Sequence, residues 1–194
     1  MLLFLLKRVF MFIFSNKGLN AELSPSSFEE NLDIKDFDSF SAFVEETALQ
    51  KVLEVSERLS KDDKKPDIIV GGDTIVTLNG KMYGKPKTNE IAFQMLSELI
   101  GKQHVVYTGV VIKYNEQIVK FTESAKVYFG KATDEQIQAY VETGEPLDKA
   151  GGYGIQGLGG CMIEKIEGDY FTVMGLPLYR LSTEICKLFN YEIK

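Results

Sequence analysis

Asp73 stands in Gly71-Gly-Asp-Thr74, Lys85 in Gly84-Lys-Pro86, and Lys149 and Gln156 in the run Asp148-Lys-Ala-Gly-Gly-Tyr-Gly-Ile-Gln-Gly157. A carboxylate can position or deprotonate water, lysines offset phosphate charge, and glycines let backbone amides approach an anion closely. These residue types, in this order, imply a pocket for a phosphorylated small molecule. Gln156 donates and accepts at once, which suits the edge of a pyrimidine, with Thr74 as a second polar contact. The alternative for both is that they satisfy backbone groups of their own loops. Asp148 and Lys149 read either as supports of the pocket or as an ion pair that fixes the loop.

The elements that must position these residues follow from apolar spacing. Val44, Ala48, Val52, Val55 and Leu59 recur at helical intervals opposite Glu45, Glu46, Glu54, Glu57 and Arg58, which predicts an amphipathic helix over 42–59. Lys51 sits beside that stripe, either as a snorkelling surface lysine or aimed into a cleft. The run 67–70 reads as a buried strand ending at Gly71-Gly-Asp73, so Asp73 is expected at a strand's C-terminal edge, where open α/β sheets place ligands. Asn79-Gly80 predicts a hairpin that returns the chain to Lys85. Thr88 is a candidate N-cap for a helix through Leu99 that ends at Gly101. Residues 104–112 and 117–129 predict antiparallel strands around 114–116. Thr133 and Gln136 form a capping box for a helix stopping at Gly144. Strands near 161–166 and 170–173 and a last helix over 178–189 complete the pattern.

At 194 residues and 44% hydrophobic content, with no Pro/Ser/Gly-rich linker, the chain reads as one domain, 1–194. A formal charge of −6 disfavours a nucleic-acid polymer as partner, so an anionic ligand must be held by local lysines, amides and a metal. Cys161 and Cys186 match no metal spacing and point to a reduced, cytoplasmic setting. His104 is the only histidine, which excludes a multi-histidine metal site and suggests a packed or edge strand residue. The apolar start, residues 1–14, is interrupted by Lys7 and Arg8. Its runs are shorter than the roughly 20 residues a membrane crossing needs, so a first strand and helix are expected there and no membrane partner.

Gly152-Tyr-Gly-Ile-Gln-Gly157 satisfies the G-x-G-x-x-G pattern of dinucleotide sites. Its context rejects that reading: it follows a helix and precedes a β-like run, where the fingerprint requires a strand before and a helix after.

Gly71-Gly-Asp-Thr74, Gly84-Lys-Pro86, the run from Tyr140 to Gln156, Gly168-Asp169 and Gly175-Leu-Pro177 together resemble the Maf-type nucleotide pyrophosphatases, from about Gly18 to the C-terminus. The form Tyr153-Gly-Ile-Gln-Gly157 is similar to the branch that prefers dTTP and UTP, ahead of a branch favouring methylated guanine nucleotides. The resemblance implies a single-domain α/β fold related to the inosine-triphosphate pyrophosphatases, with an elongated, twisted mixed sheet flanked by helices and a central cleft. It implies cleavage of nucleoside triphosphates to monophosphate and pyrophosphate with Mg2+ or Mn2+, and a homodimer. By the same resemblance Asp73 is the proton acceptor or metal-linked carboxylate, Glu30 a metal ligand, and Lys51 and Lys85 phosphate contacts. Read from the residues alone, Glu29 and Glu30 belong to a solvated turn. The chain departs from the family in residues 1–17, where the usual Ser-x-Ser-Pro-Arg-Arg is missing and Arg8 is the nearest stand-in. That departure keeps a non-catalytic nucleotide-binding protein of the same fold as the alternative.

Overall fold

The computed structural model describes residues 2–5, 20–61 and 66–190, the side chains of residues 2–5, 20 and 21 excepted. Arg8 and the helix expected in the apolar start lie outside the described residues. The elements are β1 (Leu2–Leu5), β2 (Asn20–Leu23), α1 (Phe40–Leu59), β3 (Ile68–Leu78), β4 (Lys81–Tyr83), α2 (Asn89–Leu99), β5 (Gln103–Tyr114), β6 (Gln117–Phe129), α3 (Asp134–Glu142), β7 (Ile163–Glu167), α4 (Tyr170–Met174) and α5 (Leu178–Leu188).

The seven strands among the described residues form a mixed sheet in the order β2-β1-β3-β5-β6-β7, with β4 paired to β3. β1 pairs parallel to β2 and to β3, while β3–β4 and β6–β7 are antiparallel. Two turns set the hairpins. Asn79 and Gly80 take left-handed φ values of 51° and 79°, the geometry of a tight two-residue turn, while between β5 and β6 Asn115 is left-handed at 51°.

The fold comprises two compact units, one of residues 1–73, 108–123 and 175–194, the other of residues 74–107 and 124–174. In the first, Ala48, Val52, Val55 and Leu59 of α1 pack on Ile69 and Val111, so the apolar stripe read from sequence is the buried face. Ser39 caps α1 by accepting from the Ala42 amide. The helix lies against its strand at Gly109, where a Cβ would fall 2.6 Å from the Val44 carbonyl carbon. Glycine is required there by space. In the second unit, Leu96 and Leu99 of α2 and Ile137 and Val141 of α3 join Val106, Val127 and Phe129 in one core. Burying such a side chain contributes about 1.5–3 kcal/mol. Thr88 and Thr133 cap these two helices, the latter in a full capping box with Gln136.

Three expectations are corrected. β3 does not end at Gly71-Gly72; it runs unbroken to Leu78, so Asp73 lies mid-strand. The glycines tolerate extended backbone and the β-branched Thr74-Ile75-Val76-Thr77 continues it. Residues 170–173 are helical because Asp169 accepts from the Phe171 and Thr172 amides and the Thr172 hydroxyl, an N-cap that outweighs β propensity. β7 begins only at Ile163, since residues 158–162 form a 3₁₀ turn.

Candidate functional site

Lys51 issues from the middle of α1 and is 9% exposed, against Asp73 of β3 at 7%. Its Nζ donates to Asp73 Oδ1 at 2.7 Å and pairs with Glu30 Oε1 at 2.5 Å. Lys51 is therefore not the snorkelling surface lysine of the first sequence reading. Burial pulls the ammonium toward deprotonation, but the charge and hydrogen bond of Asp73, then those of Glu30, outweigh it and hold its pKa above the ordinary lysine value.

Glu30 is half exposed, yet the segment leading to it is anchored to α1 one turn beyond Lys51. Glu54 accepts from the Ser26 hydroxyl at 2.8 Å and the Ser27 amide at 3.0 Å. Arg58 donates to Ser24 Oγ and the Pro25 carbonyl and pairs with Glu54. Burial would raise the Glu54 carboxyl, but Arg58, Ser26 and Ser27 together lower it to about 2. Glu30 is thus exposed, as the solvated-turn reading has it, but it is paired with Lys51 and preceded by a tethered segment. Sequence reasoning missed Glu54 and Arg58 because they occupy the polar face of an ordinary amphipathic helix.

Glu30 and Asp73 already share one cation, the Lys51 ammonium. Two carboxylate oxygens converge on one ammonium, a donor set of hard oxygens that fits Mg2+ or Mn2+ with one or two protein carboxylates and the remainder from phosphate and water. Among the described residues no group of three or more His, Cys, Asp or Glu side chains could hold a metal ion.

The second unit carries Thr74, Lys85 and Gln156. Thr74 is half-buried in β3, and Lys85 and Gln156 are exposed on loops. The loops of Lys85 and the glycine-rich run are joined: the Gly151 amide donates to the Gly84 carbonyl at 3.0 Å, and Gly151 is left-handed at φ 69° with no room for a Cβ against Val76. Asp148 and Lys149 pair with each other, the loop-fixing alternative.

The glycine-rich run is held by residues to which sequence reasoning gave no role. Glu145 Oε1 accepts from the Tyr140 hydroxyl at 2.9 Å and the Gly159 amide at 3.0 Å, and Oε2 from the Leu158 amide at 2.9 Å. The Tyr140 oxygen accepts in turn from the Gly154 amide at 3.2 Å. Burial would raise the Glu145 carboxyl, but the two amides and Tyr140 hold it below its ordinary value. Burial first, then Glu145, push the Tyr140 hydroxyl well above the tyrosine range, so it remains a donor. On the far side of the run, Tyr153 meets buried His104 through Nε2 at 2.8 Å, with Phe129 edge-on to both rings. Burial lowers His104 to about 4, consistent with the packed role read from sequence. The signal for Glu145 was present in Gly144-Glu-Pro146, a carboxylate between a helix stop and a run of close-approach glycines.

The family described as Maf-like protein matches residues 12–188. A human protein named probable bifunctional dTTP/UTP pyrophosphatase/methyltransferase is 43% identical over 186 residues, covering 91% of this chain and 30% of that protein. The chain thus spans under a third of that relative. A dTTP/UTP pyrophosphatase of Clostridium perfringens (strain SM101 / Type A) is 43% identical over 175 residues, 89% of this chain and 86% of its own length. One of Thermosipho africanus (strain TCF52B) is 40% identical over 163 residues, 84% and 80%.

Proposed function

The chain belongs to the Maf-like family, and from that premise we propose that it is a pyrophosphatase hydrolysing dTTP and UTP to nucleoside monophosphate and pyrophosphate. The observation that carries the reading is the buried Lys51 ammonium, paired with the buried Asp73 carboxylate and with half-exposed Glu30. Buried charge of this kind costs stability unless it is paired, and it concentrates at sites that use it.

In this reading Asp73 accepts the proton of the water that attacks the triphosphate, and Lys51, hydrogen-bonded to it, orients that carboxylate and meets phosphate oxygens. Lys85 supplies a second cation to the phosphates, and Arg8, the stand-in read from sequence, is assigned the same task. Gln156 and Thr74 hydrogen-bond the base. Glu30 and Asp73 would hold Mg2+ or Mn2+, which when bound spreads the charge of the triphosphate.

A homodimer in the cytoplasm is part of the proposal. The family resemblance supports the dimer, and the unpaired thiols of Cys161 and Cys186 support a reducing compartment. Among the described residues no helix is long and apolar enough to cross a membrane.

Pyrophosphate release from a panel of nucleoside triphosphates with Mg2+ or Mn2+ tests the reading, with Asp73→Asn alongside. Turnover of dTTP and UTP is expected, falling by about 10²–10⁴ in the variant as a proton acceptor is lost. Nucleotide binding with no release above the variant would instead establish the non-catalytic alternative, which the missing Ser-x-Ser-Pro-Arg-Arg opening favours.

A further inference from the structure

Glu145 takes no part in the reaction as written, yet the loop bearing Gln156 converges on it. Residues 154–159 are attached at three points to two side chains: Gly154 to the Tyr140 oxygen, and Leu158 and Gly159 to the Glu145 carboxylate, which also receives the Tyr140 hydroxyl. Gln156 is exposed between those attachments.

The glycines of the loop are complementary to this anchor. A Cβ at Gly157 would collide with the Glu145 carboxylate, and one at Gly159 would lie 2.6 Å from the Tyr140 hydroxyl oxygen. The anchor must also be acceptor-only, because two backbone amides and a phenol all donate to it. A carboxylate satisfies that demand; a glutamine would turn an N–H toward one of those donors.

Uracil offers a carbonyl and an N–H where cytosine offers an amino group and a bare ring nitrogen. An amide side chain on a free loop can rotate to serve either edge. Discrimination between them requires that the loop hold the amide in one orientation.

We propose that Glu145 is a positioning residue that sets the choice between uracil-like and cytosine-like bases, fixing residues 154–159 so that Gln156 presents one hydrogen-bonding pattern. The inference rests on the dTTP/UTP reading above and adds how its selectivity is built. Glu145 acts through the loop and does not touch the nucleotide.

The test is the ratio of kcat/KM for UTP to that for CTP, substrates identical except at the base edge, in the wild type, Glu145→Gln and Tyr140→Phe. The ratio is expected to fall about tenfold in Glu145→Gln, mainly through KM for UTP, with kcat for UTP within about threefold of wild type. Tyr140→Phe, which keeps the carboxylate and its two amides, should lower the ratio by about threefold and decides the matter if Glu145→Gln does not fold. A ratio unchanged in the folded variants, or a fall in kcat with the ratio preserved, overturns the inference while leaving the pyrimidine reading intact. A wild type that turns over neither UTP nor dTTP overturns that reading, and this inference with it.

Discussion

Asp73 and Glu145 are both carboxylates pinned by their contacts, but by opposite means. Asp73 is held by a formal charge, the buried Lys51 ammonium, which it shares with half-exposed Glu30. Glu145 is held by neutral donors, two backbone amides and a phenol, at 2.9–3.0 Å. An ammonium on a flexible four-carbon stem can exchange one oxygen anion for another with little geometric cost, whereas amides fixed in a glycine loop cannot turn away from theirs. The first arrangement suits groups that must meet a substrate's charge, and the second suits a part that must stay still.

The contrast can be broken by mutation. Asp73→Asn should have the largest effect, the rate loss given above, read as pyrophosphate release. Next, Lys51→Met strands a buried carboxylate and should destabilise the protein by about 3 kcal/mol in urea melts. Adding Asp73→Asn to Lys51→Met should recover part of that loss, because the uncompensated charge is then removed; purely additive losses would show the two groups to be uncoupled.

Acid separates the regions by pH window. His104 has a folded pKa of about 4, below its ordinary 6.5, so the unfolded chain takes up the proton first. Its contribution to stability is complete above pH 6.5 and is lost as pH falls toward 4, about 3 kcal/mol in all. Glu54 is depressed to about 2 from 4.5, so its contribution survives to lower pH and is lost between those values. Stability measured from pH 7 to pH 3 should therefore decline first in the His104 window, and His104→Phe should abolish that first decline while leaving the second. The smallest effect is expected from Tyr140→Phe, about 2 kcal/mol in the same melts, since it removes the phenol's hydrogen bond to the Glu145 carboxylate and leaves the Gly154 amide short of an acceptor.

Much of the frame was legible because its signals are local. Caps at Thr88 and Thr133, the Asn79-Gly80 turn and the stripe from Val44 to Leu59 each specify their element without help from the rest of the chain. The expected break of β3 before Asp73 misled because paired glycines are read as punctuation, whereas the neighbouring strands supply the pairing that extended glycines need. Residues 170–173 misled for the reverse reason: β-prone Tyr, Phe, Thr and Val yield to a single side-chain cap from Asp169. Within the site, the pairing of Lys51 with Asp73 and Glu30 was not legible from sequence, because it depends on β3 and the segment 24–28 arriving beside α1. Glu145 lies within the run from Tyr140 to Gln156 but had no role from sequence, since two of its three partners are backbone amides, which look the same at every position in a sequence.

The close approach at Gly109 bears on how far this neighbourhood can vary. With the Val44 backbone where a methyl group would be, every side chain is closed to that position, and an alanine would push α1 outward by several tenths of an ångström. Lys51 lies two turns further along the same rigid rod, and its 2.7 Å contact with Asp73 lengthens measurably over such a displacement. The missing methyl group thus acts as a gauge block: it sets the spacing between helix and strand to a tolerance finer than the flexible lysine could set for itself, and inherited variation near the ion pair has to leave that spacing alone.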